Sequence, residues 1–300
     1  MVYLIVFIAL IALAIKGYCG KKVSGHVRNM GDSFLMNTVR FILCLVIGLI
    51  LVLIESTPLR IDGVMLAICA LSGIASAINI GCWVLAVKSN ALATVDVSCT
   101  LASILPAILC WILFGEAISG MKMIGFAFIA AASFFMLGYN KTLNRKGGIL
   151  GKILLILTAL GDALVSFSQQ LYKQYRAEYS KTVFNFYIYI FAAIALAVFF
   201  LVFALTSKDR TTLSVPSLAK NTWKAFPFIG IMAICLFAAN FLQTAAAFSM
   251  PPQILYPIIK GGCLVGMLIV GAVFFGEKFN KKSIIGTSLA LVGIVLINIL

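Results

Sequence analysis

Leu113-Phe114-Gly115-Glu116 recurs in the second half of the chain as Phe274-Phe275-Gly276-Glu277. At the same offset Asn79 falls on Asn240, Ala86 on Ala247, Ile124 on Ile285 and Gly125 on Gly286. Each copy closes one apolar run and opens onto a polar turn and another apolar run. The glycine can end a helix in the left-handed conformation. The glutamate then stands before the next helix, whose N-terminal dipole favours a carboxylate. Glu116 and Glu277 are therefore read as turn residues, and their recurrence marks an internal repeat, which has to be identified before any fold is assigned.

Working outward, the apolar runs are long enough to cross a bilayer, which takes about 20 residues. The sequence predicts helices over 2–19, 33–54, 62–87, 91–114, 119–139, 149–172, 183–206, 224–248, 251–275 and 280–300. Pro251 and Pro252 separate the eighth from the ninth, because proline suits a first helical turn and disrupts an interior. The repeat divides the ten helices into units of five, residues 1–140 and 141–300. An odd number of crossings per unit makes the second enter the membrane upside down. The expected fold is an all-α membrane protein with ten transmembrane helices in two inverted five-helix repeats.

Composition agrees. Of the 300 residues 63% are hydrophobic and 11% charged, against about 25% charged in soluble domains. The formal net charge of +14 sits in short gaps between apolar runs, where membrane proteins keep loop charges, and this excludes nucleic acid as a partner. The eight cysteines are scattered, with no CxxC pair and a single histidine, His26. They read as buried packing thiols, with no metal site and no cofactor. The N-terminus opens directly on an apolar run without a basic leader, so Met1 to Ile15 is expected to be a retained first helix.

The pattern of Phe-Gly-Glu, short polar turn, Ile-Gly and a Leu/Ala/Gly-rich helix resembles the drug/metabolite transporter superfamily, specifically its EamA-type members. Residues 62–139 and 224–300 carry the resemblance best, and Arg40 in the second helix fits it. The resemblance implies ten helices, an inverted repeat and a central substrate cavity, and names no substrate.

Deep charges are the candidates for chemistry. Asp96 and Lys260 lie well inside helices four and nine, at comparable places in equivalent helices. A charge at the bilayer centre costs about 2.5–3.5 kcal/mol on insertion scales, so each should face a cavity or a partner. They are read either as substrate or proton handling groups or as a structural ion pair. Asp162, in Leu160-Gly161-Asp162-Ala163, is a second candidate for a proton or another coupling ion, against hydrogen bonding to neighbouring Ser or Thr. Arg40, nearer a helix end, could snorkel to the interface, or it could neutralise an acid or bind a substrate carboxylate. Lys16, near a predicted helix end, is expected to snorkel. Trp83, Gln169, Gln170, Tyr172, Asn240, Gln243 and Tyr256 add polar or aromatic groups. Of these, Tyr256 and Gln243 break the repeat symmetry and are the better specificity candidates, whereas Asn79 and Asn240 suggest shared packing. Pro106, Pro257, Gly261, Gly262 and Gly266 weaken the backbone ladders of helices four and nine, and Gly262 and Gly266 also suit close helix packing.

These features predict a secondary transporter working by alternating access in the plasma membrane. Its substrate is expected to be a small polar metabolite such as an amino acid or related zwitterion, because the deep charges carry both signs. A lipophilic-cation exporter is the nearest alternative, and a non-transporting assembly subunit is the alternative of another class; a homodimer is compatible with either. No GxSxG, HExxH or acidic cluster points to an enzyme. Orientation stays open. Basic residues crowd the gaps after helices one, five, seven and nine, which places both termini outside, whereas the resemblance implies cytoplasmic termini.

Overall fold

The computed structural model describes residues 2–89, 92–116, 118–137, 141–206, 215–276 and 281–299. Among these residues eleven helices follow one another and no strand occurs: α1 (Val2–Ser24), α2 (Met30–Glu55), α3 (Gly63–Ser89), α4 (Leu92–Ala102), α5 (Ile104–Phe114), α6 (Gly120–Leu137), α7 (Lys141–Tyr175), α8 (Lys181–Thr206), α9 (Val215–Ala247), α10 (Pro252–Phe275) and α11 (Lys281–Ile299). Glu277, Lys208, Asp209, Arg210 and Lys278 lie outside the described residues, as do the side chains of Lys141, Arg145, Lys146 and Pro216.

Helices are what hydrocarbon demands of such runs, since they satisfy backbone N–H and C=O groups without water. Eight segments are long and apolar enough to cross a membrane, with α4 and α5 together forming one of them as Val95–Phe114. The apolar parts of α6 and α11 are shorter, Gly120–Ala132 and Ile284–Ile297. Large apolar side chains such as Leu53, Ile54, Phe134, Leu205 and Val273 are exposed on the outer surface, where lipid replaces water. The chain is an α-helical, multi-pass membrane protein.

The helix ends follow local chemistry. The Asn29 side chain caps α2 by accepting from the Asp32 N–H at 2.9 Å. Gly115 (φ +68) and Gly276 (φ +63) both close their helices in the left-handed conformation, donating to the carbonyls of Trp111 and Gly271. The two Phe-Gly-Glu glycines thus do the same job. Pro252 occupies the first turn of α10, as the Pro-Pro pair predicted.

Three boundaries depart from the sequence expectation. Helix α1 continues to Ser24, and α9 begins at Val215. In both, the helix runs on beyond its apolar band with polar residues that find partners. Lys21 Nζ donates to the Val87 carbonyl at 3.3 Å, and the Asn221 amide donates to the His26 carbonyl. The helix expected over 91–114 is interrupted at Ser103, between α4 and α5. Helix α7 carries a non-helical Gly148 (φ 54, ψ −145), so its membrane segment starts there.

Packing pairs the helices across the middle of the chain. Helix α3 lies along α7, α1 along α9, α2 along α8 and α6 along α11. Further contacts join α2 to α9, α3 to α8, α1 to α10, α4 to α7, α4 to α10, α4 to α6 and α10 to α11. Gly262 and Gly266 face Leu10 and Ala14 of α1, the close packing their spacing suggested. Beside the deep charges, backbone meets backbone at Gly161, where a Cβ would stand 2.7 Å from the Asn79 nitrogen and 2.8 Å from the Ala75 oxygen. Those are backbone atoms of α3 and cannot swing aside. Gly161→Val is therefore expected to cost about 1–3 kcal/mol by overpacking and to lower the melting temperature in detergent by several degrees. Gly230→Ala, with nothing within 4 Å, should leave it unchanged. An unshifted Gly161→Val melt would mean that α3 and α7 do not meet there.

Candidate functional site

Five helices converge on a small cavity of ≈ 30 Å³ lined by Lys16 and Leu13 of α1, Asn79 and Trp83 of α3, Asp96 and Cys99 of α4, Asp162 of α7, and Lys260 and Cys263 of α10. This volume suits a water molecule or two. Two acids and two lysines share it, so their formal charges cancel. Lys260 Nζ meets Asp162 Oδ1 at 2.7 Å, with both side chains largely buried. At that distance and an effective dielectric of 20 the attraction is about 6 kcal/mol before desolvation is subtracted. Desolvation is large for both ions, so the net value of the pair is far smaller.

The other two charges are not joined in this way. Lys16 Nζ lies 5.8 Å from the centroid of the Trp83 ring, a cation–π contact, and the Trp83 side chain hydrogen-bonds Asp96. Asp96 is 7% exposed, and its Oδ2 has no hydrogen-bond partner among the described residues; the same holds for Asp162 Oδ2. Two buried carboxylate oxygens thus stand uncommitted beside the cavity.

The backbone positions these groups. Pro106 has no N–H to offer the preceding turn, and the ladder breaks just before it. Ser103 N donates to the carbonyls of Cys99 and Thr100 at 3.2 Å each, and its hydroxyl donates to the Thr100 carbonyl at 2.6 Å. The Thr100 hydroxyl in turn has two acceptors in reach, the Asp96 carbonyl at 2.8 Å and the Lys260 carbonyl at 3.3 Å. One side chain therefore ties the helix of Asp96 to the helix of Lys260. In α10, Pro257 leaves the helix unbroken.

Of the residues singled out from sequence, Asp96, Lys260, Asp162 and Trp83 come together at the cavity. Tyr256 and Gln169 do not line it. They form a separate buried network in which the Gln170 amide donates to the Tyr256 hydroxyl at 3.0 Å and Tyr256 reaches the Ser166 carbonyl at 2.6 Å. Gln169 donates to the Thr244 hydroxyl at 3.3 Å. Tyr172 is buried and donates to the Tyr179 carbonyl, and Gln243 is buried on α9 away from the cavity lining. Asn79 donates to the Thr158 carbonyl on α7 and Asn240 to the Tyr189 hydroxyl on α8, so both are inter-helix ties but to non-equivalent helices. Glu116 accepts from Gln253 at 3.4 Å, across the turn from α10.

Lys16 is a correction. Ending the first helix at residue 19 makes Lys16 look terminal and free to snorkel. The helix continues to Ser24, which leaves Lys16 two turns inside, at the cavity. Cys99 and Cys263 are cavity residues too, which no sequence signal distinguished from packing thiols. Arg40 sits apart, only 2% exposed. Its Nη1 lies 3.9 Å from the Met232 sulfur, while Nε and Nη2 have no partner among the described residues. Outside the spans, Arg176 pairs with Asp62 at 2.6 Å, and its hydrogen bond holds the Asp62 carboxyl below the usual range. At the start of α2, Arg28 pairs with Asp32 at 2.8 Å and has its own guanidinium pKa raised by that hydrogen bond.

No family model matches the sequence, and no curated protein sequence is significantly similar to it. Among solved structures, one crystal structure with 15% sequence identity superposes at a TM-score of 0.67, covering 99% of this chain and 96% of its own. At that identity the likeness speaks to the fold alone, and it extends over the whole chain.

Lys260→Met should strand Asp162 without its cation and cost about 3–5 kcal/mol, visible as loss of the monodisperse peak in size-exclusion of the detergent-solubilised protein. Combining it with Asp162→Leu should restore most of that peak. A double variant no better than the single one would show that the two side chains are not energetically coupled.

Proposed function

We propose that this protein is a secondary transporter of the drug/metabolite transporter superfamily, EamA type, which moves a small zwitterionic metabolite across the plasma membrane by alternating access. The observation that carries this reading is the set of four deep charges of cancelling sign around one cavity. An ammonium and a carboxylate on the same small molecule find a counter-charge there, and the uncommitted Asp96 oxygen is the best placed group to take the ammonium or a coupling proton.

The architecture we propose is ten crossings in two inverted units, 1–140 and 141–300. In this frame α1, α2, α3, the α4–α5 pair and α6 are crossings one to five, and α7 to α11 are six to ten. The packing of the helices supports it. Exchanging each crossing with its counterpart five places on turns α3·α7 into α1·α9, α2·α9 into α3·α8, α1·α10 into α4·α7 and α10·α11 into α4·α6. The pairs α2·α8, α4·α10 and α6·α11 map onto themselves. Each image is itself a packing pair. The charges obey the same exchange with their signs reversed: Lys16 on the first crossing answers Asp162 on the sixth, and Asp96 on the fourth answers Lys260 on the ninth. A cavity of ≈ 30 Å³ is too small for a metabolite, so substrate entry in this reading requires the two units to part.

Two lysines at the cavity speak against a lipophilic-cation exporter, whose substrate prefers acidic and aromatic walls. Two unmatched buried carboxylate oxygens at one cavity speak against a purely structural assembly subunit, since native packing leaves few buried polar atoms in that state. The test is flux in proteoliposomes across a panel of labelled amino acids, related zwitterions and cationic dyes, under proton, sodium and exchange gradients. Zwitterion uptake is expected, and Asp96→Asn should reduce it at least about tenfold, the scale of one charge-assisted contact, without loss of folded protein. Absence of flux for every compound under every gradient would sink the proposal.

A further inference from the structure

The guanidinium of Arg40 is the largest polar group the transport reading leaves unused. It carries five N–H donors. Among the described residues its one contact of hydrogen-bond type is the thioether of Met232 at 3.9 Å, and sulfur is a weak acceptor. Around it stand apolar or neutral groups: the Phe41 ring, whose centroid is 5.8 Å from the guanidinium carbon, with Tyr189 and Cys44 alongside. A buried charge without a partner is costly to folding. A group kept at such cost points to a partner that is present only part of the time.

The position says where that partner would come from. A Cβ placed on Gly20 of α1 would meet both the Trp83 ring at 2.4 Å and the Met232 methyl at 3.3 Å. The two side chains therefore share one spot on α1. Trp83 lines the charged cavity; Met232 is its neighbour, and Arg40 lies against the Met232 sulfur. One methionine separates the guanidinium from the cavity wall. Methionine is unbranched and flexible, the residue best suited to fill a gap and vacate it.

We infer that Arg40 is a masked carboxylate subsite of this cavity, covered by Met232 in the conformation described, and that it receives the acidic end of the substrate when Met232 turns aside. The inference rests on the transport reading and deepens it. The planar guanidinium fork matches a carboxylate with two parallel hydrogen bonds, in an apolar setting that strengthens them. Asp96 then holds the ammonium and Arg40 the carboxylate, which assigns the two ends of the zwitterion to different units of side chains. Inorganic anions share part of this chemistry, and the experiment separates them.

The chain has three tryptophans. Trp111 and Trp223 are exposed, so a Trp111→Phe/Trp223→Phe background leaves Trp83 as the reporter beside Met232. The full-length protein in detergent is titrated with sodium acetate or sodium chloride, each against sodium sulfate at equal ionic strength. Acetate is expected to change the Trp83 emission saturably and chloride is not. Arg40→Gln should weaken acetate binding by about tenfold or more, the scale of a lost charge-assisted hydrogen bond. Met232→Ala should strengthen it by removing the cover. Arg40→Met should raise the melting temperature, since an unpaired buried charge is gone, whereas a structural arginine would lower it. Unchanged acetate affinity in Arg40→Gln overturns the inference, as does a lowered melting temperature in Arg40→Met. A chloride response that Arg40→Gln abolishes also overturns it, because the subsite is then inorganic. No acetate response in the parent protein overturns it too. In each of these cases zwitterion flux in proteoliposomes, measured separately, still decides the transport reading.

Discussion

A charge inside hydrocarbon needs a counter-charge, a polar neighbour or water, and the interior of this protein is organised by that need. The contact between Lys260 and Asp162 is its clearest expression. Both residues sit deep in apolar helices, and each makes the other tolerable. Around that contact the backbone is drawn unusually close: Gly161, next to Asp162, lets α7 touch the main chain of α3, and Thr100 bridges α4 to the carbonyl of Lys260. Residues that bear charge and residues that bear no side chain at all cooperate in one place.

The buried polar groups divide into two kinds. The network of Tyr256, Gln169, Gln170, Ser166 and Thr244 is closed on itself, with each of its hydrogen bonds made to another protein group. Such a network fixes how α7, α9 and α10 pack and has little left to offer a ligand. The second kind is incomplete: Asp96, Asp162 and Arg40 all retain polar atoms with no partner among the described residues. Natural structures leave few groups in that state; the hydroxyls of Thr57, Ser72, Ser76 and Thr222 share it elsewhere in the protein, but the three charged groups in it stand on or just behind one cavity. Among the charged groups, this contrast between satisfied and unsatisfied atoms distinguishes the candidate site more sharply than depth in the membrane does.

Much of the fold was legible in the amino-acid sequence because hydropathy and chain length leave little choice to an apolar run. The Pro-Pro stop before α10 and the left-handed glycines before Glu116 and Glu277 were visible for the same reason: they are local. What escaped was the polar continuation of α1 and α9, where helix persists after hydrophobicity ends. That one error displaced Lys16 from the interior to the rim and so hid a cavity residue. The break at Ser103 was foreshadowed by Pro106, but Pro257 gave the same signal in α10 and broke nothing. Tyr256 and Gln169 looked like pocket residues because depth and polarity are readable from a sequence and hydrogen-bond closure is not. The neighbourhood of Arg40 was equally invisible, since Met232 and Tyr189 are remote from it along the chain.

The interruption at Ser103 also has a mechanical meaning. Within Val95–Phe114 the helix is perturbed at one residue, Ser103, which keeps right-handed helical angles (φ −64, ψ −16) and its bond to the Cys99 carbonyl, whereas α10, despite Pro257, runs as one helix. The two helices cross at the cavity and are tied there by one hydroxyl. Helix bends localise where proline removes a ladder donor, and on the Asp96 side Pro106 does so next to a perturbed turn. A bend there would carry the carboxylate of Asp96 past the ammonium of Lys260, so the geometry of the crossing sets how the two charges face each other.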